Sequence, residues 1–177
     1  MLSAEHLARI RLLRSERIGP ISFAQLMRRF GSALAAIEAL PDLVQRTGGR
    51  ALRIAALAQA EQEARRVEAA GARYLFADDA DYPELLAHID NAPPILTVRG
   101  DTRLMQRPSI AMVGARNASA SACRFARQIA GELAEAGFLV VSGLARGIDT
   151  SAHEGALRIA GTGAASTAGV IASGIDI

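Results

Sequence analysis

The sequence contains no lysine and no tryptophan, only one cysteine, and no long run of apolar residues. A lone cysteine, Cys123, excludes an internal disulfide framework and a zinc site built from cysteine alone. No uncharged apolar stretch approaches the ~18 residues that indicate a membrane-spanning helix. Residues 1–17 mix charge with apolar residues and so lack the apolar core of a secretory signal. These absences predict a protein of the reducing cytoplasm that has no membrane partner.

The chain has 177 residues, of which 50% are hydrophobic and 21% are charged, which is enough for a packed core. All 20 basic residues are arginine. This bias indicates either phosphate binding by the planar guanidinium or a composition bias that is unrelated to ligands. Residues 1–72 hold eleven Arg against seven acids (+4), and residues 73–177 hold nine Arg against eleven acids (−2). An anion site in the second part would therefore depend on backbone donors and a few well-placed arginines.

The first 70 residues have helical periodicity, and we expect a small all-helical domain over residues 1–70. The pattern predicts one helix up to Arg14, a second capped by Ser22, a third ended by Pro41, and a long one over about 50–70. Ile18-Gly19-Pro20 resembles the turn of helix-hairpin-helix proteins that bind DNA. The alternative is an ordinary turn in a small helical interaction module.

Residues 71–177 alternate strands and helices, which predicts an α/β domain with a doubly wound, Rossmann-like parallel sheet. Three apolar strand segments begin near residues 109, 138 and 167, separated by 29 residues each. Helices are predicted between them, over 119–136 and 149–160. Two shorter strand segments, 74–76 and 95–99, are expected to flank this sheet. The chain ends soon after the third parallel strand, so we expect the domain to be truncated at its C-terminal side.

Glycine and arginine follow the first two parallel strands, where such folds bind ligands. Both segments precede a helix, whose N-terminus offers unpaired N–H groups to an anion. We therefore predict one phosphate-binding cleft made by two neighbouring loops, although the glycines could serve close helix–strand packing alone. The candidate phosphate-binding residues are Gly114, Arg116, Asn117, Ser142, Gly143, Ala145, Arg146 and Gly147.

Other kinds of site have weak support in the sequence. Only Gly114 of a dinucleotide G-x-G-x-x-G motif is present, and a Walker loop requires lysine. Ser142 lies outside any G-x-S-x-G nucleophile motif. Asp149 and His153 could hold a metal or act as a base, but a capping Asp149 beside a structural His153 fits better, since no third ligand has suitable spacing. No cofactor, metal or catalytic residue is predicted.

Several segments together resemble the family of the DNA processing protein DprA, also called Smf. The residues that carry this resemblance are Val113-Gly114-Ala115-Arg116, Val140 to Asp149 (VVSGLARGID), Ala152 to Leu157 (AHEGAL), Asp81-Tyr82-Pro83, Ala92 to Gly100, and the helical start with Ile18-Gly19-Pro20 and Arg29-Phe30-Gly31. The resemblance implies a SAM-like helical domain before an extended Rossmann domain. It also implies a non-enzymatic protein that binds and protects single-stranded DNA, loads the recombinase RecA during natural transformation, and forms a homodimer through the Rossmann domain.

Two departures from the family pattern concern the first loop. Ala115 stands where family members often have Ser or Thr, and Ser121-Ala122 stands where they often have Tyr-Gly. The alternative function is a nucleotide phosphoribohydrolase of related Rossmann type that acts on nucleoside monophosphates. Its P-G-G-x-G-T-x-x-E segment does not occur in these 177 residues.

Overall fold

Helices dominate the first part of the chain, and strands alternate with helices in the last part. The computed structural model describes residues 2–46, 52–159 and 166–175. The helices are α1 (Ala4–Leu13), α2 (Pro20–Phe30), α3 (Ala33–Arg46), α4 (Leu57–Ala69), α5 (Glu84–Ala87), a 3-10 helix (Thr102–Gln106), α6 (Ala120–Glu135) and α7 (Ile148–Ile159). The strands are β1 (Arg73–Phe76), β2 (Ile95–Val98), β3 (Ser109–Ala111), β4 (Leu139–Ser142) and β5 (Thr167–Gly169).

The chain forms two compact units, and the first contains α1 to α4. Ser3 caps α1, because its hydroxyl accepts the N–H of His6 at 3.1 Å. The core of this helical group is small and apolar, and its buried members are Ala8, Leu12, Ile18, Phe23, Ala33, Ala36 and Leu40. The all-helical start predicted from the sequence is therefore confirmed.

Three predicted helix boundaries are wrong. The second helix begins at Pro20 after Gly19, not behind a Ser22 cap, because proline fixes φ in the helical range and suits the first helical position. The third helix continues through Pro41 to Arg46, since Leu40 is buried in the core directly before the proline. The fourth helix begins at Leu57, and residues 52–56 are not helical. Part of the predicted helix, residues 50 and 51, lies outside the described residues.

The strands β1 and β2 form their own antiparallel sheet, with Phe76 opposite Ile95. The expectation that these segments flank the parallel sheet is wrong for the residues described. The ring of Phe76 stacks on His6 at 4.4 Å between centroids, which joins β1 to α1. The first unit thus extends to Asp79 and takes in residues 85–99, further than the 70 residues predicted for the helical domain. That residues 1–70 and 71–177 fold as separate domains stays a prediction.

The second unit contains the predicted parallel sheet, with strand order β3-β4-β5. Ile110 lies opposite Val140, and Val141 lies opposite Ala168. The α/β, Rossmann-like prediction is confirmed by this arrangement of parallel strands and crossover helices. The first strand is shorter than the predicted 109–113, and Ser109 is exposed, since β3 pairs only with β4 among the described residues. Its shortening leaves residues 112–119 as a loop before α6.

The helices α6 and α7 pack against each other and against β4. Small side chains allow this close approach, and the buried members of the cluster are Ala130, Ala134, Val140, Ala152 and Ala156. At the crossing, a Cβ on Gly155 would overlap the carbonyl of Arg127, so only glycine fits there. Arg127 also forms an ion pair with Glu154 across the two helices.

Candidate nucleic-acid interface

Two loops leave the carboxyl ends of neighbouring strands in the second unit. We call residues 112–119, between β3 and α6, the first loop, and residues 143–147, between β4 and α7, the second loop. All eight candidate phosphate-binding residues lie in these loops or, for Ser142, at the end of β4. The sheet thus brings together the residues that the sequence analysis selected.

The two loops are in direct contact. The N–H of Ile148 donates a hydrogen bond to the carbonyl oxygen of Ala115 at 3.3 Å. Gly147 has a φ of +84°, and a Cβ there would lie 2.7 Å from the carbonyl oxygen of Arg116. A Cβ on Gly114 would lie 2.6 Å from the side chain of Ile148. Both glycines are therefore needed for close packing of one loop on the other.

Ser142 stabilises the start of the first loop, and its hydroxyl is not available to donate a hydrogen bond to a ligand. Its side chain is buried, with 3% of its surface exposed. The hydroxyl donates a 2.6 Å hydrogen bond to the carbonyl oxygen of Met112, where the first loop begins. Since the proton of this hydroxyl is already used, Ser142 positions the loop, and its predicted contact with phosphate stays a prediction without geometric support.

Two amides of the second loop are hydrogen-bonded to a carboxylate of this same chain. Oδ2 of the buried Asp149 accepts the N–H of Gly143 at 3.2 Å and the N–H of Ala145 at 3.4 Å. The sequence analysis expected these two amides to face an anion, and in the structure they are already paired. The carboxylate also places a negative charge beside the cleft. Two of the predicted donors are thus used within the chain, whereas the N–H groups of Leu144, Arg146 and Gly147 form no hydrogen bond with a described residue.

The first loop also has open amides. Residues 113–117 are all exposed, and the N–H groups of Gly114, Arg116 and Asn117 have no hydrogen-bond partner among the described residues. Ser119 caps α6 by accepting the N–H of Ala122 at 3.2 Å, so this loop runs directly onto a helix N-terminus. Unpaired amides and the positive end of the helix dipole both favour an anion here.

Two arginines stand at the two loops. Arg116 and Arg146 are exposed, and each occupies a turn immediately before a helix. Neither forms an ion pair with a described residue, so both guanidinium groups face solvent. A guanidinium beside unpaired amides can bind a phosphate with two parallel hydrogen bonds. Arg116 has the better surroundings for that contact, because the carboxylate of Asp149 lies against the loop of Arg146.

His153 is structural, as the sequence analysis favoured. Its Nδ1 lies 2.7 Å from the hydroxyl of Thr167, and that hydroxyl donates to the carbonyl oxygen of Val140 at 2.8 Å. Because the threonine proton is used, Nδ1 of His153 is the donor to Thr167. Burial lowers the pKa of this imidazole, although Asp149 acts in the opposite direction. No cluster of metal-ligating side chains occurs among the described residues.

Sequence reasoning missed two features of this region. The sequence favours Asp149 as a helix cap over a metal ligand or base, whereas in the structure its carboxylate also accepts two amides of the second loop; the signal was an acid in the first turn after a glycine-rich loop. Sequence reasoning also passed over Phe125, an aromatic residue in the second turn of α6 that is 65% exposed. Helical periodicity could have found it, since Phe125 falls outside the inward face of Ala126 and Ala130.

Family models match most of the chain. Residues 73–177 match the family of DNA recombination-mediator protein A, and residues 3–65 match the DprA-like N-terminal HHH domain. Among curated proteins, the chain is 39% identical to protein Smf of Synechocystis over 59% of this chain and 26% of that protein. It is 37% identical to the DNA processing protein DprA of Streptococcus pneumoniae over 56% of this chain and 33% of that protein.

Solved structures give the same picture of the fold. The crystal structure of DprA from Streptococcus pneumoniae superposes with a TM-score of 0.71 at 22% identity, over 99% of this chain and 60% of that one. DprA from Helicobacter pylori, described for its single-stranded DNA binding mode, gives a TM-score of 0.50 at 28% identity, over 59% of this chain and 45% of that one. The segments aligned by sequence cover at most a third of the length of the two curated relatives described above.

Within the described part of the chain, no helix is both long enough and apolar enough to cross a lipid bilayer.

Proposed function

This chain belongs to the family of DNA recombination-mediator protein A, the DprA or Smf proteins, and from that premise we propose that it binds single-stranded DNA through the first loop. In this proposal the strand lies along the carboxyl edge of β3 and β4. Its phosphate accepts hydrogen bonds from the amides of Gly114, Arg116 and Asn117, and the guanidinium of Arg116 adds a charged contact. The open amides of the first loop are the observation that carries the proposal.

The geometry favours a backbone ligand over a base-specific one. The open donors are main-chain N–H groups and a solvent-facing guanidinium, which recognise phosphate charge and carry no information about sequence. Binding of this kind has little sequence preference and weakens strongly with salt. We therefore expect affinity for oligonucleotides of any sequence, with Arg146 and the turn around Gly147 forming the second wall of the cleft.

The wider role follows from the family. We propose that the complete protein protects incoming single strands, loads RecA onto them during natural transformation, and acts as a homodimer in the cytoplasm. The activity is non-enzymatic in this proposal, since the cleft offers donors and charge with no activated nucleophile. In His153, the side chain best suited to acid–base work, Nδ1 is hydrogen-bonded to Thr167 and Nε2 is buried away from the solvent.

A salt titration tests the binding proposal. Affinity for a fluorescent oligothymidylate, measured by anisotropy, should fall linearly with the logarithm of salt concentration. Excess single strand should compete, and excess duplex of equal length should compete less well. Lack of binding at low salt, or release of free base from nucleoside monophosphates, would contradict the proposal and favour a nucleotide-hydrolysing protein.

A further inference from the structure

One face of α6 carries an aromatic ring that packing does not explain. The buried face of this helix is made of small side chains, Ala126, Ala130 and Ala134. On the opposite side, Phe125 has 65% of its surface exposed, and its ring contacts no other aromatic ring among the described residues. Leaving a phenylalanine in water forgoes the stabilisation that burial would supply. An exposed aromatic ring in the second turn of a helix, beside an open anion site, suggests that the ring contacts a bound ligand.

Helix geometry directs this ring toward the first loop. Side chains of a helix tilt toward its N-terminus, so the Phe125 ring covers the surface one turn earlier, over Ser121. Six residues separate Phe125 from the capping Ser119, which corresponds to about 9 Å along the helix axis. That length is within reach of a short stretch of strand whose phosphate is bound at Gly114 and Arg116.

The surroundings of the ring are polar and cationic. Ser121, Arg124 and Gln128 share the exposed face with Phe125, and all three are exposed, while the half-buried Ile129 is the apolar neighbour four residues further on. Arg124 forms no ion pair with a described residue, and the first acid on this face is Glu132, two turns further along. A single aromatic ring surrounded mainly by polar groups provides little apolar area for an apolar protein surface to bury. An aromatic ring beside arginine suits a nucleobase attached to an anionic backbone.

We propose that Phe125, flanked by Arg124, is a stacking platform for an unpaired nucleobase of the strand bound at the first loop. This inference rests on the proposed function, because the strand must be held there first. Stacking on an aromatic ring tolerates any base, so the platform adds affinity without adding sequence preference. Arg124 stabilises the same nucleotide through its charge, on the neighbouring position of the exposed face.

The absence of tryptophan from the chain makes a direct test available. In Phe125→Trp, the new indole is the only one in the chain and reports on this position alone. We expect an oligothymidylate to quench its fluorescence, and an abasic oligonucleotide of the same length to leave it unchanged. Leu157→Trp is the matched control, since Leu157 is a similarly exposed apolar residue on α7. Equal quenching at both positions, or none at position 125, would overturn the proposal.

Affinity measurements separate stacking from other roles. Phe125→Leu should weaken binding of oligothymidylate by roughly 5- to 100-fold, the range expected for loss of one stacked base, and should not change binding of the abasic strand. Phe125→Tyr should bind like the parent. Equal weakening toward both strands, or no weakening, would contradict a stacking role, as would a change in oligomeric state of Phe125→Leu in sedimentation. If the parent chain binds neither strand, the proposed function itself fails, which is a different result.

Discussion

The amide of Gly143 donates a 3.2 Å hydrogen bond to Oδ2 of Asp149, which lies six residues later in the chain. The same oxygen accepts the N–H of Ala145, and a Cβ on Gly143 would lie only 2.9 Å from it. The second loop is thus folded around a carboxylate of the next helix. An anion that approaches this edge of the sheet finds donors in the first loop, and at the second loop it meets a negative charge beside the remaining open amides.

Replacing this carboxylate should separate its two effects. Asp149→Asn keeps an oxygen that can accept the N–H groups of Gly143 and Ala145 but removes the charge, so we expect tighter binding of single-stranded DNA and a modest loss of stability. Asp149→Ala leaves both amides without a partner and should lower the free energy of unfolding by about 1–3 kcal/mol. Urea denaturation and anisotropy measure the two effects. Weaker DNA binding by a stably folded Asp149→Asn would contradict a repulsive role for the carboxylate.

Arg116 should account for one phosphate contact. Arg116→Ala should weaken binding of single-stranded DNA and reduce the slope of log affinity against log salt by about 0.7, the value for one phosphate on a single strand. Arg158→Ala is the control, because Arg158 is an exposed arginine at the far end of α7. Identical affinities and slopes for Arg116→Ala and the parent chain would show that this guanidinium does not touch the strand.

Two glycines with similar backbone angles give a matched test of loop contact. Gly147 has a φ of +84° and lies against the first loop, whereas Gly137 has a φ of +90° with nothing within 4 Å of an added Cβ. Gly137→Ala should cost about 1–2 kcal/mol of stability, because its φ is in the left-handed region, and Gly147→Ala should cost more, because its Cβ would also overlap the first loop. Gly147→Ala should also displace Ala115 and Arg116 and weaken DNA binding, while Gly137→Ala should not. Equal DNA affinity of the two variants would contradict this role of Gly147.

His153 should make stability depend on pH. Burial holds the pKa of its imidazole below the ordinary value of 6.5, so the unfolded chain takes up a proton more readily than the folded one. The stabilising effect is therefore fully present above pH 6.5 and is lost as the pH falls toward the pKa of the folded state. Denaturation of the parent should show this loss, and His153→Gln, which cannot titrate, should show less of it.

The control for this titration is His88→Gln, since His88 is exposed and lies outside the elements that contact His153. That variant should keep the pH dependence of the parent. If His153→Gln retained the full dependence between pH 5 and 7, the pH dependence would not come from His153.

The sequence predicted much of the second unit because its signals are local and regular. Strand spacing and glycines between strand and helix each follow from short-range chemistry, and the structure confirms them. Pro41 predicts a helix end, but α3 continues through it. Burial of the preceding Leu40 outweighs the local preference against proline inside a helix. Local propensity is a weak guide where tertiary packing opposes it.

The features of the site that the sequence did not predict depend on long-range or competing contacts. Glycine after a strand indicates unpaired amides, yet whether they stay unpaired depends on where a neighbouring carboxylate points, as Asp149 shows. The hydroxyl of Ser142 looks available in sequence, but pairing of β4 beside β3 places it under Met112. The pairing of β1 with β2 in a separate sheet was likewise not predicted, since the sequence of a short strand does not indicate which strand it pairs with.

The tight crossing of α6 and α7 at Gly155 has a mechanical consequence. Each helix begins at one of the two loops, and at the crossing the backbone of Arg127 occupies the place that a Cβ on residue 155 would need. We expect this close contact to restrain relative movement of the two loops, so that less conformational entropy is lost when a strand docks. A larger residue at position 155 would separate α6 from α7. By displacing the two loops, it should weaken DNA binding although it lies outside the cleft.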